Sequence, residues 1–115
     1  MKITFNNGYY EGDVNSQREM HGYGTFRWND GNVYAGEWRK NIREGRGTLV
    51  LTEGARYEGE WRDDKREGRG IYTSEDGKIW EGIFHDYDGD PIKQTLPDGT
   101  VRYGVLKDFT FIPNE

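Results

Sequence analysis

The side chains in this chain with the types and spacing to do chemistry are aromatic rings, arginines and one run of aspartates. Phe26, Tyr34, Trp38, Leu49, Tyr57, Trp61, Tyr72, Trp80 and Phe84 stand at alternating positions in short runs, the period of an extended strand with one apolar face. A row of large rings on one face either packs as a core or offers an apolar strip to a partner. Arg43 and Arg66 are 23 residues apart, as are Arg46 and Arg69, so each pair lines up as a column able to meet phosphate or carboxylate. Asp86-Tyr87-Asp88-Gly89-Asp90 has the alternate aspartates of a calcium loop. An EF-hand loop starting at Asp86 needs glycine and glutamate where Pro91 and Pro97 stand, which leaves an irregular acidic connection. His21 and His85 have no second histidine at ligand spacing, and there is no cysteine, so no metal or cofactor is expected. With no P-loop and no nucleophile elbow, and with most carboxylates facing arginines that lower their pKa, the chain reads as a non-enzyme.

The elements that must position these residues are visible in the glycines. Gly12, Gly36, Gly59, Gly82 and Gly104 form one series, Gly22, Gly45 and Gly68 a second, and Gly24, Gly47 and Gly70 a third, with steps of 22 to 24 residues. A fixed period of this length means one supersecondary unit copied in tandem. Within the unit, Tyr34-Ala35-Gly36-Glu37-Trp38 and Gly45-Arg46-Gly47-Thr48-Leu49 alternate as strands. Asn29-Asp30-Gly31, Thr52-Glu53-Gly54 and Glu75-Asp76-Gly77 suit three-residue hairpin loops with glycine in the left-handed region. Tight turns without glycine are expected around Asn41-Ile42 and Asp64-Lys65.

These turns imply a cross-strand register. One row reads Phe26, Tyr34, Leu49, Tyr57, Tyr72, Trp80. The next is the bare band Gly24, Gly36, Gly47, Gly59, Gly70, Gly82. The third is Gly22, Trp38, Gly45, Trp61, Gly68, Phe84, in which each ring has glycine on both sides. This predicts a glycine-lined furrow between two aromatic ridges. The opposite face would carry Tyr23, Glu37, Arg46, Glu60, Arg69, Ile83 beside His21, Arg39, Glu44, Arg62, Glu67, His85, a solvated charge ladder. Arg43 and Arg66, near the turns on the aromatic side, are the freer cations and would rim the furrow.

Tyr-x-Gly-x-Trp followed by Gly-x-Gly and Asp-Gly at this period resembles the MORN (membrane occupation and recognition nexus) repeat. The match is close at Tyr34 to Trp38 and Tyr57 to Trp61 and looser from Tyr10 and Trp80, for about four to five repeats. The resemblance implies an all-β fold: an elongated, open, single-layer antiparallel sheet of tandem β-hairpins. Residues 1–107 are expected as one domain, regular from 8 to 84, with a degenerate capping hairpin over 85–107. Residues 108–115 are read as a tail whose Phe109, Phe111 and Ile112 would dock on the open end or in the furrow. A scaffold or adaptor follows, holding a protein segment such as a peptide or helix, or a second copy of itself, through the aromatic groove. The alternative is a peripheral module for anionic phospholipids or phosphoinositides.

The formal charge of −5, from 21 acidic and 16 basic residues, argues against nucleic acid or an anionic membrane as the main partner. The start has no apolar export segment, and no apolar run approaches the ~20 residues of a membrane span, so a cytoplasmic location is expected, with membrane association the alternative that the family implies. Anionic vesicles should therefore sediment little of the protein. Strong, salt-sensitive sedimentation would favour the lipid reading.

Overall fold

The computed structural model describes residues 1–114; residue 115, the last of the expected tail, lies outside the described residues. The chain is a run of eleven strands: β1 (Lys2–Phe5), β2 (Gly8–Val14), β3 (Met20–Trp28), β4 (Val33–Arg39), β5 (Ile42–Val50), β6 (Arg56–Arg62), β7 (Lys65–Thr73), β8 (Ile79–His85), β9 (Asp88–Thr95), β10 (Val101–Lys107) and β11 (Thr110–Pro113). They form one open antiparallel sheet in which spatial order equals chain order. Each strand thus pairs only with its sequence neighbours, as tandem hairpins require. The molecule measures 52 × 23 × 20 Å with a radius of gyration of 15.5 Å. A compact domain near this length would have about 13 Å. Its cross-section is too deep for one flat sheet, roughly 10 Å thick, so the layer is curled.

Two kinds of turn alternate along the sheet. The expected three-residue loops form, closed by bonds such as the Trp28 amide to the Asn32 carbonyl and the Leu51 amide to the Ala55 carbonyl. Gly31, Gly54 and Gly77 supply their positive φ, at 100°, 105° and 89°. The other turns lie one residue earlier than the sequence suggested, at Lys40-Asn41 and Asp63-Asp64, with all four residues at φ between 48° and 70°. These are the angles of a type I′ turn, and asparagine and aspartate tolerate them better than other non-glycine residues. Beyond the expected repeats, β1 adds a strand before Gly8, and Thr110–Pro113 of the expected tail pairs with β10 as β11.

Two of the expected rows form as read. Phe26, Tyr34, Leu49, Tyr57, Tyr72 and Trp80 are successive cross-strand partners, and so are Gly24, Gly36, Gly47, Gly59, Gly70 and Gly82. The third row does not. After Gly36↔Gly47 the register jumps to Trp38↔Arg43, and after Gly59↔Gly70 it jumps to Trp61↔Arg66. Two extra residues in β5 and in β7 bulge out at Gly45 and Gly68, whose φ values of 98° and 106° favour glycine. Each tryptophan therefore has glycine on one side and arginine on the other. An even number of extra residues leaves the faces unchanged but bends the strand.

The charge ladder is also mostly replaced. Glu37 and Glu60 accept hydrogen bonds from the bulged backbone amides of Arg46 and Arg69. Of the expected rungs, Arg46–Glu60 remains as a loose 3.9 Å ion pair, and His85 contacts Glu67. The sequence pattern could not separate a glutamate facing an arginine side chain from one facing its amide.

The glycine band is where packing is least forgiving. A Cβ on Gly47 would sit 2.1 Å from the Tyr34 hydroxyl, whereas one on Gly99 meets nothing within 4 Å and bears only the strain of φ +90°. Gly47→Ala should lower unfolding free energy by about 2–3 kcal/mol or prevent folding. Gly99→Ala should cost about 1 kcal/mol. Urea unfolding of both variants measures the contrast, and equal losses would contradict it.

Candidate functional site

The tyrosines of the first row do not stand beside an empty furrow; they lie down in it. Cβ atoms on Gly24, Gly47 and Gly70 would each fall between 2.1 and 2.2 Å from the hydroxyl of Tyr10, Tyr34 and Tyr57 respectively. The hydroxyls donate to the carbonyls of Asp13, Glu37 and Glu60. The tryptophans lean in from the other side, Trp38 Nε1 donating to the Gly24 carbonyl and Trp61 Nε1 to that of Gly47, both at 3.1 Å. The result is a zigzag of rings, Tyr10–Trp38–Tyr34–Trp61–Tyr57–Phe84, with centroids 5.0–5.7 Å apart and planes at 84–88°. Edge-to-face contacts of this kind contribute about 0.5–1.5 kcal/mol each beyond area burial.

This spine is the core. Phe26, Tyr34, Trp38, Tyr57, Trp61 and Phe84, all expected to line the groove, are buried. Ile92 and Leu106 join them from the irregular C-terminal strands, and Met20 from β3. Burial pushes the Tyr10 and Tyr57 phenols up to about 12, and moves Tyr34 the same way. Trp80 stands in the tyrosine column of the last repeat, and its buried Nε1 has no hydrogen-bond partner among the described residues.

What stays open lies beside the spine. Leu49, Tyr72 and Trp80 are only partly buried. Leu49 and Tyr72, with Leu51, floor an open groove of about 290 Å³ whose far wall is Tyr87 and Phe109. Those two rings stack at 4.4 Å, bringing the β8–β9 and β10–β11 turns together. Trp80 packs on Tyr72 with ring centroids 5.5 Å apart. The sequence placed Phe109 only in a docking tail and Tyr87 only in the aspartate run, because nothing in a local pattern pairs two turns 22 residues apart.

Arg43 and Arg66 do reach this groove, with Lys65 beside them, but neither is a free rim charge. The register jumps place the Arg43 guanidinium 4.5 Å from the Trp61 ring centroid and the Arg66 guanidinium 5.3 Å from those of Tyr57 and Phe84. Arg43 is held by the next turn: its amide and Nε donate to Asp64 Oδ1, at 2.8 and 3.2 Å, and its Nη2 to the Asp64 carbonyl. Arg66 Nε donates to the Asp86 carbonyl at 2.9 Å. Burial lowers the pKa of Arg66, yet a guanidinium remains charged at neutral pH.

Elsewhere the expected candidates scatter. His21 accepts the Lys40 amide hydrogen on the charged face, far in sequence from His85. The run Asp86–Asp90 forms the β8–β9 turn and the start of β9, with Asp88 Oδ1 accepting the Asp108 amide hydrogen. Among the described residues no group of three or more histidine, aspartate or glutamate side chains is placed to hold a metal ion.

A family model for the MORN repeat matches residues 19–33, 34–56 and 57–79, just over half of the chain. No curated protein matches it.

The raised phenol values set the alkaline behaviour. Unfolded tyrosines lose their proton near pH 10 while the folded Tyr10 and Tyr57 keep it to about 12. Their contribution is therefore full below pH 10 and is lost as pH rises through about 12. Circular dichroism and phenolate absorbance should change together across that window. Phenolate formation near pH 10 at all tyrosines, with the fold intact, would refute the buried spine.

Proposed function

Because the chain belongs to the MORN-repeat family, whose repeats are generally protein- or membrane-interaction modules on a fold that is typically non-enzymatic, we propose that it is a non-catalytic adaptor that seats a segment of another protein in the groove beside the aromatic spine. The observation that carries this reading is the division of labour among the rings. The glycine furrow is filled by the chain's own tyrosines, which leaves as an open apolar surface beside it the groove lined by Leu49, Leu51 and Tyr72 with the exposed pair Tyr87 and Phe109.

Such a groove suits apolar side chains from an extended or helical segment, with the cations at its edge setting orientation. The acidic total charge opposes the lipid alternative, since Arg43 is already neutralised by Asp64. Among the described residues no helix is long and apolar enough to cross a membrane.

Reversing Arg43 and Arg66 to glutamate, the obvious test from sequence, would strip guanidinium groups from the faces of core rings and so confound binding with folding. A photo-crosslinking phenylalanine at position 109 avoids this, because Phe109 is 68% exposed. It should join the protein to a discrete partner band that the same residue at Tyr23, exposed elsewhere on the sheet, does not trap. Leu51→Ser should reduce that band at least about fivefold. Equal trapping at both positions would defeat the proposal, a band at twice the chain's own mass would assign self-association, and groove-dependent sedimentation with phosphoinositide vesicles would assign lipid.

A further inference from the structure

The second residue of each tight turn is an internal comparison. In the β4–β5 turn it is Asn41, whose Oδ1 accepts the Met20 amide hydrogen at 2.9 Å. One repeat on it is Asp64, whose Oδ1 accepts from the amide and Nε of Arg43. One repeat further, after another 23 residues, it is Tyr87 in the Asp86-Tyr87 turn between His85 and Asp88. Arg66 stands where Arg43 stood, and Asp86 keeps the backbone part of the contact, its carbonyl accepting from Arg66 Nε and its amide donating to the Arg66 carbonyl. The side-chain carboxylate that Asp64 offers Arg43 is replaced by a phenol ring. The Arg66 guanidinium lies among the rings of Tyr57, Tyr72, Phe84 and Tyr87 at 5.3–5.9 Å. Its buried Nη2 has no hydrogen-bond partner among the described residues. A buried charged donor without an acceptor is costly, and aromatic faces offset that cost only in part.

The geometry points to a carboxylate subsite: the protein segment seated in the groove presents an aspartate or glutamate side chain that takes, on Arg66, the place Asp64 occupies on Arg43. This inference rests on the groove being the docking site. The apolar neighbours of that residue cover Leu49, Leu51 and Tyr72, and Tyr87 and Phe109, both more exposed than buried, part to admit the carboxylate. A single negative charge fits better than a phosphate dianion. The groove's cations Arg43, Lys65 and Arg66 are accompanied by the carboxylates of Asp64 and Asp86, and one of the three cations is already paired. The ligand that the fold itself places on the equivalent arginine is likewise a carboxylate.

The probes are two blocked tripeptides, leucyl-glutamyl-leucine and its glutaminyl isostere, titrated into the full chain and followed by amide NMR shifts at the groove. The glutamyl peptide should bind about tenfold more tightly, the preference expected of a charge-assisted hydrogen bond over a neutral one. Tyr87→Asp supplies the missing carboxylate from within the chain at an exposed turn, and should bring the ratio to about one. Asp64→Asn keeps the turn acceptor that Asn41 already exemplifies, frees the Arg43 guanidinium, and should widen the glutamyl preference. Equal binding of both peptides to the groove of the unmodified chain would overturn the carboxylate subsite while leaving the docking reading intact. Binding of neither would overturn the docking reading as well. Tighter, competitive binding of inositol trisphosphate would overturn the carboxylate assignment in favour of phosphate.

Discussion

A tyrosine ring lying flat across a glycine backbone is the contact on which this molecule depends. A single-layer sheet has no second layer to cover its apolar face, so its rings must find cover within the layer. The band of glycines removes every Cβ from one row, and the phenols of Tyr10, Tyr34 and Tyr57 occupy the space thus made, each hydroxyl donating to a carbonyl three residues further along its own strand. Each tryptophan then wedges between two of these rings and returns a hydrogen bond to the band at Gly24 or Gly47. Each repeat's ring is held by the repeat before and the repeat after it, which makes a thin sheet cooperative along its length.

The bulges follow from the same demand. A flat sheet would leave the tryptophan side of the furrow open, whereas two extra residues at Gly45 and at Gly68 bend β5 and β7 and bring Arg43 and Arg66 over the rings of Trp61 and Phe84, which are buried. Arginine thereby acts as the lid of an aromatic core, its stem apolar and its head stacked. Glu37 and Glu60 are drawn away from arginine partners to satisfy the amides that the bulges expose. One geometric event accounts for both the placement of the arginines and the loss of the charge ladder.

The pattern weakens towards the C-terminus. Trp80 and Phe84 replace tyrosine and tryptophan, Tyr87 replaces the turn carboxylate, and Gln94 and Arg102 continue the tyrosine row as a hydrogen-bonded pair at 3.0 and 3.1 Å. Hydrogen bonds of the regular units are lost here, with Trp80 Nε1 and Arg66 Nη2 both unpartnered among the described residues. The open groove lies beside this weakened stretch, where the repeat is least able to complete its own contacts.

By itself the sequence determined the period, the strands, the three-residue loops and two of the three cross-strand rows. Each depends only on alternation and on glycine at fixed spacing, both visible in a linear chain. It also marked the rings that matter, without distinguishing a core from a binding surface, because a ring at an alternating position reads the same whether it stands up or lies down. Only the tertiary structure decided that the tyrosines fill the furrow, since this depends on side-chain tilt across neighbouring strands. Only the tertiary structure showed the bulges, because an even insertion preserves the alternation from which register is read. Tyr87 and Phe109 meet across two turns that are separated in the chain, so no local pattern could have paired them at the groove.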